Sequence, residues 1–303
     1  MSSAPMDEEK LGEQLRLARS EGGAFLLPQR LLIRFKGADA FRYLHGQVTR
    51  DLTRLMPGEA LAACILTPKG KLCAPLLIWR EGEDFLLESA PQVEEALLAR
   101  LERYIVADDV SITLERPRQV VHCFGKAALK NSLSDQDGLR INRLGVPGVD
   151  HQVGEGDSLS QMSLLDPAVV EALRIESCLP AWGSELNGEL LPPEAGLDRT
   201  HIDYDRGCYP GQEVISRIKS VGKVNRKLHL LVSAPGGVLH PGQAVMSADG
   251  TESGVLTSVS NQFDTGSVLA LCFLKRGVEE PLFTFDPLTG LKRDLTISRN
   301  SGT

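Results

Sequence analysis

No stretch of this sequence is long and apolar enough to cross a bilayer. The longest apolar runs, such as APLLIW at 74–79, fall far short of the ~20 residues a helical span needs. The N-terminal MSSAPMDEEKLGEQLRLARSEGG lacks the apolar core of a signal peptide, and its acidic residues argue against a mitochondrial leader. A cytoplasmic location without a membrane partner is the expectation. Excess positive charge is missing too. The formal net charge is −7, so direct nucleic-acid binding is not expected. Close cysteine pairs are absent: the six cysteines, at 64, 73, 123, 178, 208 and 272, are never nearer than nine residues. That spacing disfavours a zinc or iron–sulfur site, and no stably bound metal is expected. The six histidines form no H-x-x-x-H or H-E-x-x-H pattern, which disfavours a catalytic zinc. No glycine-rich phosphate loop stands between a strand and a helix, so a nucleotide enzyme is unsupported.

What is present is the composition of a globular protein. The chain has 303 residues, 42% hydrophobic and 24% charged, enough for two or three domains and a sizeable core. Six thiols without an export signal point to a reducing compartment. Cys64 (AACIL), Cys123 (VHCF) and Cys272 (ALCFL) read as small core residues.

Residues 1–22 read as a polar helix or a frayed leader. LLIRF at 31–35 reads as a strand, and Asp39 as the N-cap of a helix carrying Phe41, Leu44 and Val48. LAACILT at 61–67 and LCAPLLIW at 72–79 form a hairpin around Pro68-Lys69-Gly70-Lys71. Pro75 implies an edge or a bulge in the returning strand. FLLES at 85–89 is a further strand, 91–105 a helix, and 109–115 a strand. A second α+β segment follows, with strands at 120–125 and 139–145, a short helix at 126–133, and a longer helix at 164–177. Residues 178–200, rich in Pro and Gly, read as an extended loop. After about residue 222, short strands divided by Gly-rich turns predict a small all-β barrel or sandwich.

One stretch stands apart: RGCYPGQE at 206–213. Tyr209-Pro210-Gly211-Gln212 predicts a type II turn, with Pro fixing φ and Gly supplying a positive φ. Cys208 would sit at the lip of that turn, among Asp203, Asp205, Arg206, Gln212 and Glu213. Arg206 and a helix N-terminus would lower its pKa, and the carboxylates would raise it. These local features leave Cys208 balanced between a working thiol and an inert turn residue. His201 lies seven residues earlier, and a Cys–His pair would need the two adjacent in space.

RGCYPGQEVISRI closely resembles the K-G-C-[FY]-x-G-Q-E motif of the folate-binding YgfZ family, relatives of the glycine cleavage T-protein. LIRFKGADAFRYLHGQVTRDL is similar to that family's N-terminal segment, with its L-x-G-Q-x-T-x-D run. LTPKGKL at 66–72 is similar to its L-T-P-K-G-[RK] hairpin, and RIESCLPAWGSEL at 174–186 to its R-x-E-x-G-x-P segment. The resemblance covers the chain from about 30 to about 275. It implies an α+β, T-protein-like three-domain ring with a central folate-sized hole, closed by the C-terminal β-barrel. The units would be 24–117, 118–222 and 223–303.

The resemblance also implies a role in making or maintaining iron–sulfur enzymes, including tRNA-modifying ones. Folate, and iron–sulfur enzymes or their assembly factors, would be the partners, and tetrahydrofolate the bound cofactor. The family's cysteine maps to Cys208, and Arg206, Gly207, Tyr209, Gly211, Gln212 and Glu213 to the rest of its motif. Folate contacts would include Gln47, Asp51, Gln152, Arg174 and Glu176. Lys69 and Lys71 could meet the ligand's glutamate tail. The motif lysine is Arg206 here, so the motif cannot depend on a deprotonated lysine. The glycine of the R-x-E-x-G stretch is Cys178. The position of the T-protein's catalytic carboxylate falls at Pro75, which disfavours a folate-dependent aminomethyl or one-carbon transferase. Near the T-protein's pterin-binding glutamate, only Asp150 and Gln152 are polar candidates. The remaining alternative is a non-enzymatic scaffold, for which Cys208 would be dispensable.

Overall fold

The chain is described from a computed structural model, which places residues 7–116, 118–126, 138–154, 163–236, 238–286 and 289–298. Alternating apolar residues build three sheets. The first contains β2 (Leu31–Lys36), β3 (Leu61–Leu66), β4 (Leu72–Glu81), β5 (Asp84–Ser89) and β6 (Ser111–Leu114), in the order β3-β4-β5-β2-β6. Ile33, Phe35, Ile65, Leu76, Ile78 and Leu87 share a core with Leu44, Leu97 and Leu101. The last three come from helices α2 (Ala40–Gln47) and α3 (Glu94–Glu102). Successive residues of a strand face opposite ways. Cys64 and Leu66 therefore join a second cluster with Tyr209 and Ile215.

The second sheet runs β1-β7-β9-β8, formed by β1 (Gly22–Leu26), β7 (Val120–Gly125), β8 (Leu139–Asn142) and β9 (Pro147–Gln152). Helix α1 (Glu8–Glu21) packs against α4 (Pro167–Glu176) beside this sheet through Leu11, Leu15, Val169 and Leu173. The third sheet is a closed barrel, β10-β13-β12-β11-β14-β15. Its strands span Arg226–Ser233, Ala244–Ser247, Glu252–Asn261, Val268–Lys275, Leu282–Phe285 and Lys292–Ile297, for β10 to β15 in turn. Pairing of Leu231 with Ile297 closes it. We propose the unit boundaries 24–117, 118–222 and 223–303 with one exchange. Strand β1, whose residues precede the first sheet in the chain, pairs with β7 of the second.

Several local expectations change. Glu8–Glu21 is helical, with Asp7 at its N-cap accepting from the Glu9 N–H. Asp39 stands at the N-cap of α2 but does not cap it. Its carboxylate accepts from the Asp109 N–H at 2.9 Å instead. Phe41 is exposed, and Tyr43 takes the inward place beside Leu44. Residues 91–93 form a 3-10 turn ahead of α3. Strand β4 is internal, so Pro75 is not on an edge. The proline is tolerated because the β4–β5 register begins only at Leu77, and a bulge lies beside it, opposite Ile65 and Leu66. Strands β1 and β9 were not expected, being short and interrupted by glycine. Beyond Lys126, the helix expected at 126–133 lies outside the described residues.

Candidate functional site

Tyr209-Pro210-Gly211-Gln212 forms the expected turn. The Gln212 N–H reaches the Tyr209 carbonyl at 3.2 Å, and Gly211 has φ +87° and ψ −3°. A type II turn requires those angles at its third residue. Glycine is doubly required there, because a Cβ would come within 2.5 Å of the Thr67 carbonyl oxygen. Gln212 then opens helix α5 (Gln212–Val221), which buries Ile215 and ends at Gly222 in the left-handed region. Glu213, Gly207 and Cys208 are exposed, while the flanking Arg206 and Tyr209 are buried.

Arg206 explains how an exposed cysteine can be held firmly. Its guanidinium donates to the carbonyls of His45 at 2.7 Å, Val48 at 2.6 Å, Arg50 at 2.9 Å and Gly207 at 2.9 Å. It also lies 5.3 Å from the centre of the Tyr209 ring. The last carbonyls of a helix lack intrahelical partners, so Arg206 caps α2 at His45 from 161 residues away in the chain. Gln212 closes the loop with a 3.4 Å contact to the Arg206 carbonyl.

The segments that resemble one family in sequence meet around this loop. From GQVTRD, the Thr49 carbonyl accepts from the Asp203 N–H at 3.0 Å. The Thr49 hydroxyl donates to the His201 carbonyl at 2.6 Å and accepts from the Cys64 N–H. Arg50 pairs with Asp203 at 3.0 Å and also donates to the Thr200 carbonyl. From LTPKGK, Gly70 packs against Gly211 and Val214, so the hairpin and the cysteine turn touch through two glycines.

A cavity of about 720 Å³ lies between the first two sheets and α4. Apolar walls come from Leu76, Leu77, Leu144, Leu179 and Trp182, and Pro75 is on the wall. Four arginines also line it: Arg30, Arg143, Arg174 and Arg199. Arg143 is buried between Glu88 at 2.8 Å and Asp150 at 2.9 Å. Burial pushes both carboxyls up, but Arg143 and Arg30 at Glu88, and His122 and Arg143 at Asp150, hold them below their ordinary pKa. Arg30 reaches Glu88 at 3.0 Å. Arg174 bridges Glu171 at 2.7 Å and the buried Glu185 at 3.1 Å, and bonds Ser258 of the barrel at 2.8 Å.

Of the residues singled out as folate contacts, Arg174 lines this cavity. Gln47 accepts from Arg100 at 2.9 Å, and Asp51 caps Thr53 at 3.0 Å; neither is on the wall. Gln152 belongs to a smaller neighbouring cavity of about 210 Å³. Glu176 is turned away into an ion pair with Arg19 at 2.8 Å. Lys71 pairs with Glu189, and Lys69 is exposed off the wall. Asp150 is spent on Arg143 and on His122 at 2.7 Å. His201 lines the cavity with Nδ1 2.7 Å from the Thr200 hydroxyl, whereas Cys208 is not on that wall. Among the described residues, no hydrogen bond joins Cys208 to His201. Cys178 is on the wall in the left-handed region, φ +52°, at the place where the motif carries glycine. Sequence reasoning missed Arg143 and Arg199, for which no motif gave a signal, and Glu185, which lies in the 174–186 segment but beyond its matched R-x-E-x-G-x-P positions.

Among the described residues, no cluster of three His, Cys, Asp or Glu side chains could hold a metal ion. Nor is any described helix long and apolar enough to cross a membrane.

No family model matches the chain. It is 28% identical over 274 residues to the tRNA-modifying protein YgfZ of an Escherichia coli O157:H7 strain, covering 80% of this chain and 78% of that protein. It is also 28% identical over 270 residues to the tRNA-modifying protein YgfZ of Cronobacter sakazakii, covering 80% and 82%. Among solved structures, glycine cleavage system aminomethyltransferase T from Bartonella henselae superposes with a TM-score of 0.80. That match spans 98% of this chain and 90% of the other at 18% identity.

Proposed function

We propose that this chain, a YgfZ/T-protein-like protein by its curated relatives and by its fold, is a folate-binding accessory factor. It supports the assembly or maintenance of iron–sulfur enzymes, tRNA-modifying ones among them, and acts through the Cys208 thiol. The observation that carries this reading is the contrast at Cys208. The thiol is exposed, while Arg206 and Tyr209 nearby are buried, and Arg206 and Gly211 fasten the loop to two other motif segments. A merely structural cysteine gains nothing from exposure. A thiol that must meet a partner protein, for redox or transient ligand chemistry, needs both exposure and a fixed position.

Two features of the cavity support folate as its ligand. Its volume lies in the usual range for small-molecule sites. Trp182 and the leucines offer apolar faces for a ring, and arginines supply cations for an anionic tail. Folate, when bound, supplies a carrier for one-carbon units. The fold alone would equally suit aminomethyl transfer, but the wall position expected to hold the catalytic carboxylate is Pro75. The wall's own carboxylates, Glu88 and Glu171, are engaged by Arg143 and Arg174.

The test is complementation. Iron–sulfur enzyme activity is measured in cells lacking the host's homologue and supplied with wild type or Cys208→Ser. Rescue by wild type only, at equal folded abundance, is expected. Equal rescue by both would make Cys208 a turn residue. Rescue by neither would remove the iron–sulfur reading and leave folate-dependent transfer as the next assay.

A further inference from the structure

Four arginines line the 720 Å³ cavity, and the guanidinium groups of three are already committed. Arg30 is held by Glu88, Arg143 by Glu88 and Asp150, and Arg174 by Glu171 and Glu185. Arg199 is different. It is exposed, and no hydrogen bond or ion pair among the described residues engages its guanidinium. Asp198 next to it feels its charge, yet makes no ion pair with it and is not on the wall.

The segment that carries Arg199 is firmly seated. Pro192, Pro193, Ala195 and Leu197 are buried around it, and Arg50 holds the following carbonyl, that of Thr200. Gly196 leaves space for the guanidinium: a Cβ at 196 would lie 3.0 Å from Arg199 Nη2. One arginine of the wall therefore keeps an unspent fork of donors, on a segment whose backbone is firmly seated. A planar fork of this kind matches a carboxylate with two parallel hydrogen bonds.

We infer that Arg199 is the anion anchor of the cavity, and that it selects ligands bearing a carboxylate at the end opposite their ring system. The inference rests on the folate reading above, in which that carboxylate is the glutamate tail. Cys178 lies near enough to feel the Arg199 charge. Arg199, which no motif marks, and Cys178, where the motif carries glycine, thus meet on one wall.

The experiment compares 5-formyltetrahydrofolate with 5-formyltetrahydropteroate, the same ring system without its glutamate, by titration calorimetry. Wild type should bind the folate more tightly. Arg199→Ala should weaken folate binding about 10- to 100-fold, the worth of a charged hydrogen-bond pair. It should leave pteroate affinity within about twofold. Arg199→Lys should recover part of the loss. Equal weakening of both ligands by Arg199→Ala, or weakening of neither, overturns the inference. If wild type binds the pteroate as tightly as the folate, the inference falls while the folate reading stands. If wild type binds neither, both fall together.

Discussion

Replacing Arg206 by alanine would remove more than a charge. The guanidinium makes three hydrogen bonds of 2.6–2.9 Å to carbonyls of residues 45–50 and a fourth to its own loop. Each charged hydrogen bond contributes about 1.5–3 kcal/mol, and a buried carbonyl left without a donor costs about 1–3 kcal/mol. Against this, alanine no longer buries a cation, and burial does weigh on Arg206, lowering its pKa from the usual guanidinium value. The net loss should be about 3–5 kcal/mol. For a cooperative unit of this size that is a drop in Tm of about 10 °C.

Lysine should behave differently. Its ammonium has three donors and can reach the same cluster of carbonyls, so Arg206→Lys should cost about 1 kcal/mol. The assay is denaturant unfolding of wild type and both variants, with thermal melts alongside. The reasoning is refuted if Arg206→Ala stays within about 1 kcal/mol of wild type. It is equally refuted if Arg206→Lys is as damaging as alanine, since the carbonyl cage would then require a planar fork.

Glycine at 211 should be far less replaceable than glycine at 222, although both have positive φ. Gly222→Ala meets no atom within 4 Å and should cost about 1 kcal/mol, whereas Gly211→Ala also drives a Cβ into the Thr67 carbonyl and should cost about 2–4 kcal/mol in the same unfolding assay. Under native conditions iodoacetamide should modify the exposed Cys208 first, with Cys64, Cys123 and Cys272 protected until unfolding, as peptide mass mapping would show. His201, pushed down to about 4 by burial and by Arg50, stays neutral in the fold while its unfolded counterpart protonates near 6.5. Its contribution to stability is therefore complete above about pH 6.5 and is lost as the pH falls towards about 4. His201→Gln should flatten the stability–pH curve in that window, and an unchanged slope would reject the assignment.

Much of the architecture could be read from local pattern. The hairpin at 61–79, the cysteine turn and the barrel all announce themselves through alternation and through Pro-Gly punctuation, which act over a few residues. Elements that depend on distant partners were harder to see. Strand β1, Gly22–Leu26, contains two glycines, and its place is fixed by antiparallel pairing with β7 a hundred residues later. Asp39 carries the residue type of an N-cap, yet Asp109 claims its carboxylate. The same limit applies to the site. Cys208 was legible because the turn chemistry around it is local. Arg143 and Arg199 were not, because an arginine's role depends on which carboxylates lie near it, and those come from other strands and helices.

Ten residues, Arg199 to Cys208, join the two halves of the candidate site. At one end Arg199, Thr200 and His201 form cavity wall. At the other, Arg206 and Tyr209 support the exposed thiol. Between them the strip is fastened to residues 45–51 at four places: the carbonyls of Thr200 and His201, both the N–H and carboxylate of Asp203, and the Arg206 side chain. This gives GQVTRD a physical role. Gln47 and Asp51 do not reach the cavity, but their neighbours Val48, Thr49 and Arg50 hold the strip that serves both sites. A ligand-driven movement at Thr200 would strain a charged hydrogen bond to Arg50, whose own carbonyl receives Arg206. The cavity and the thiol are therefore separate in space but share one clamp.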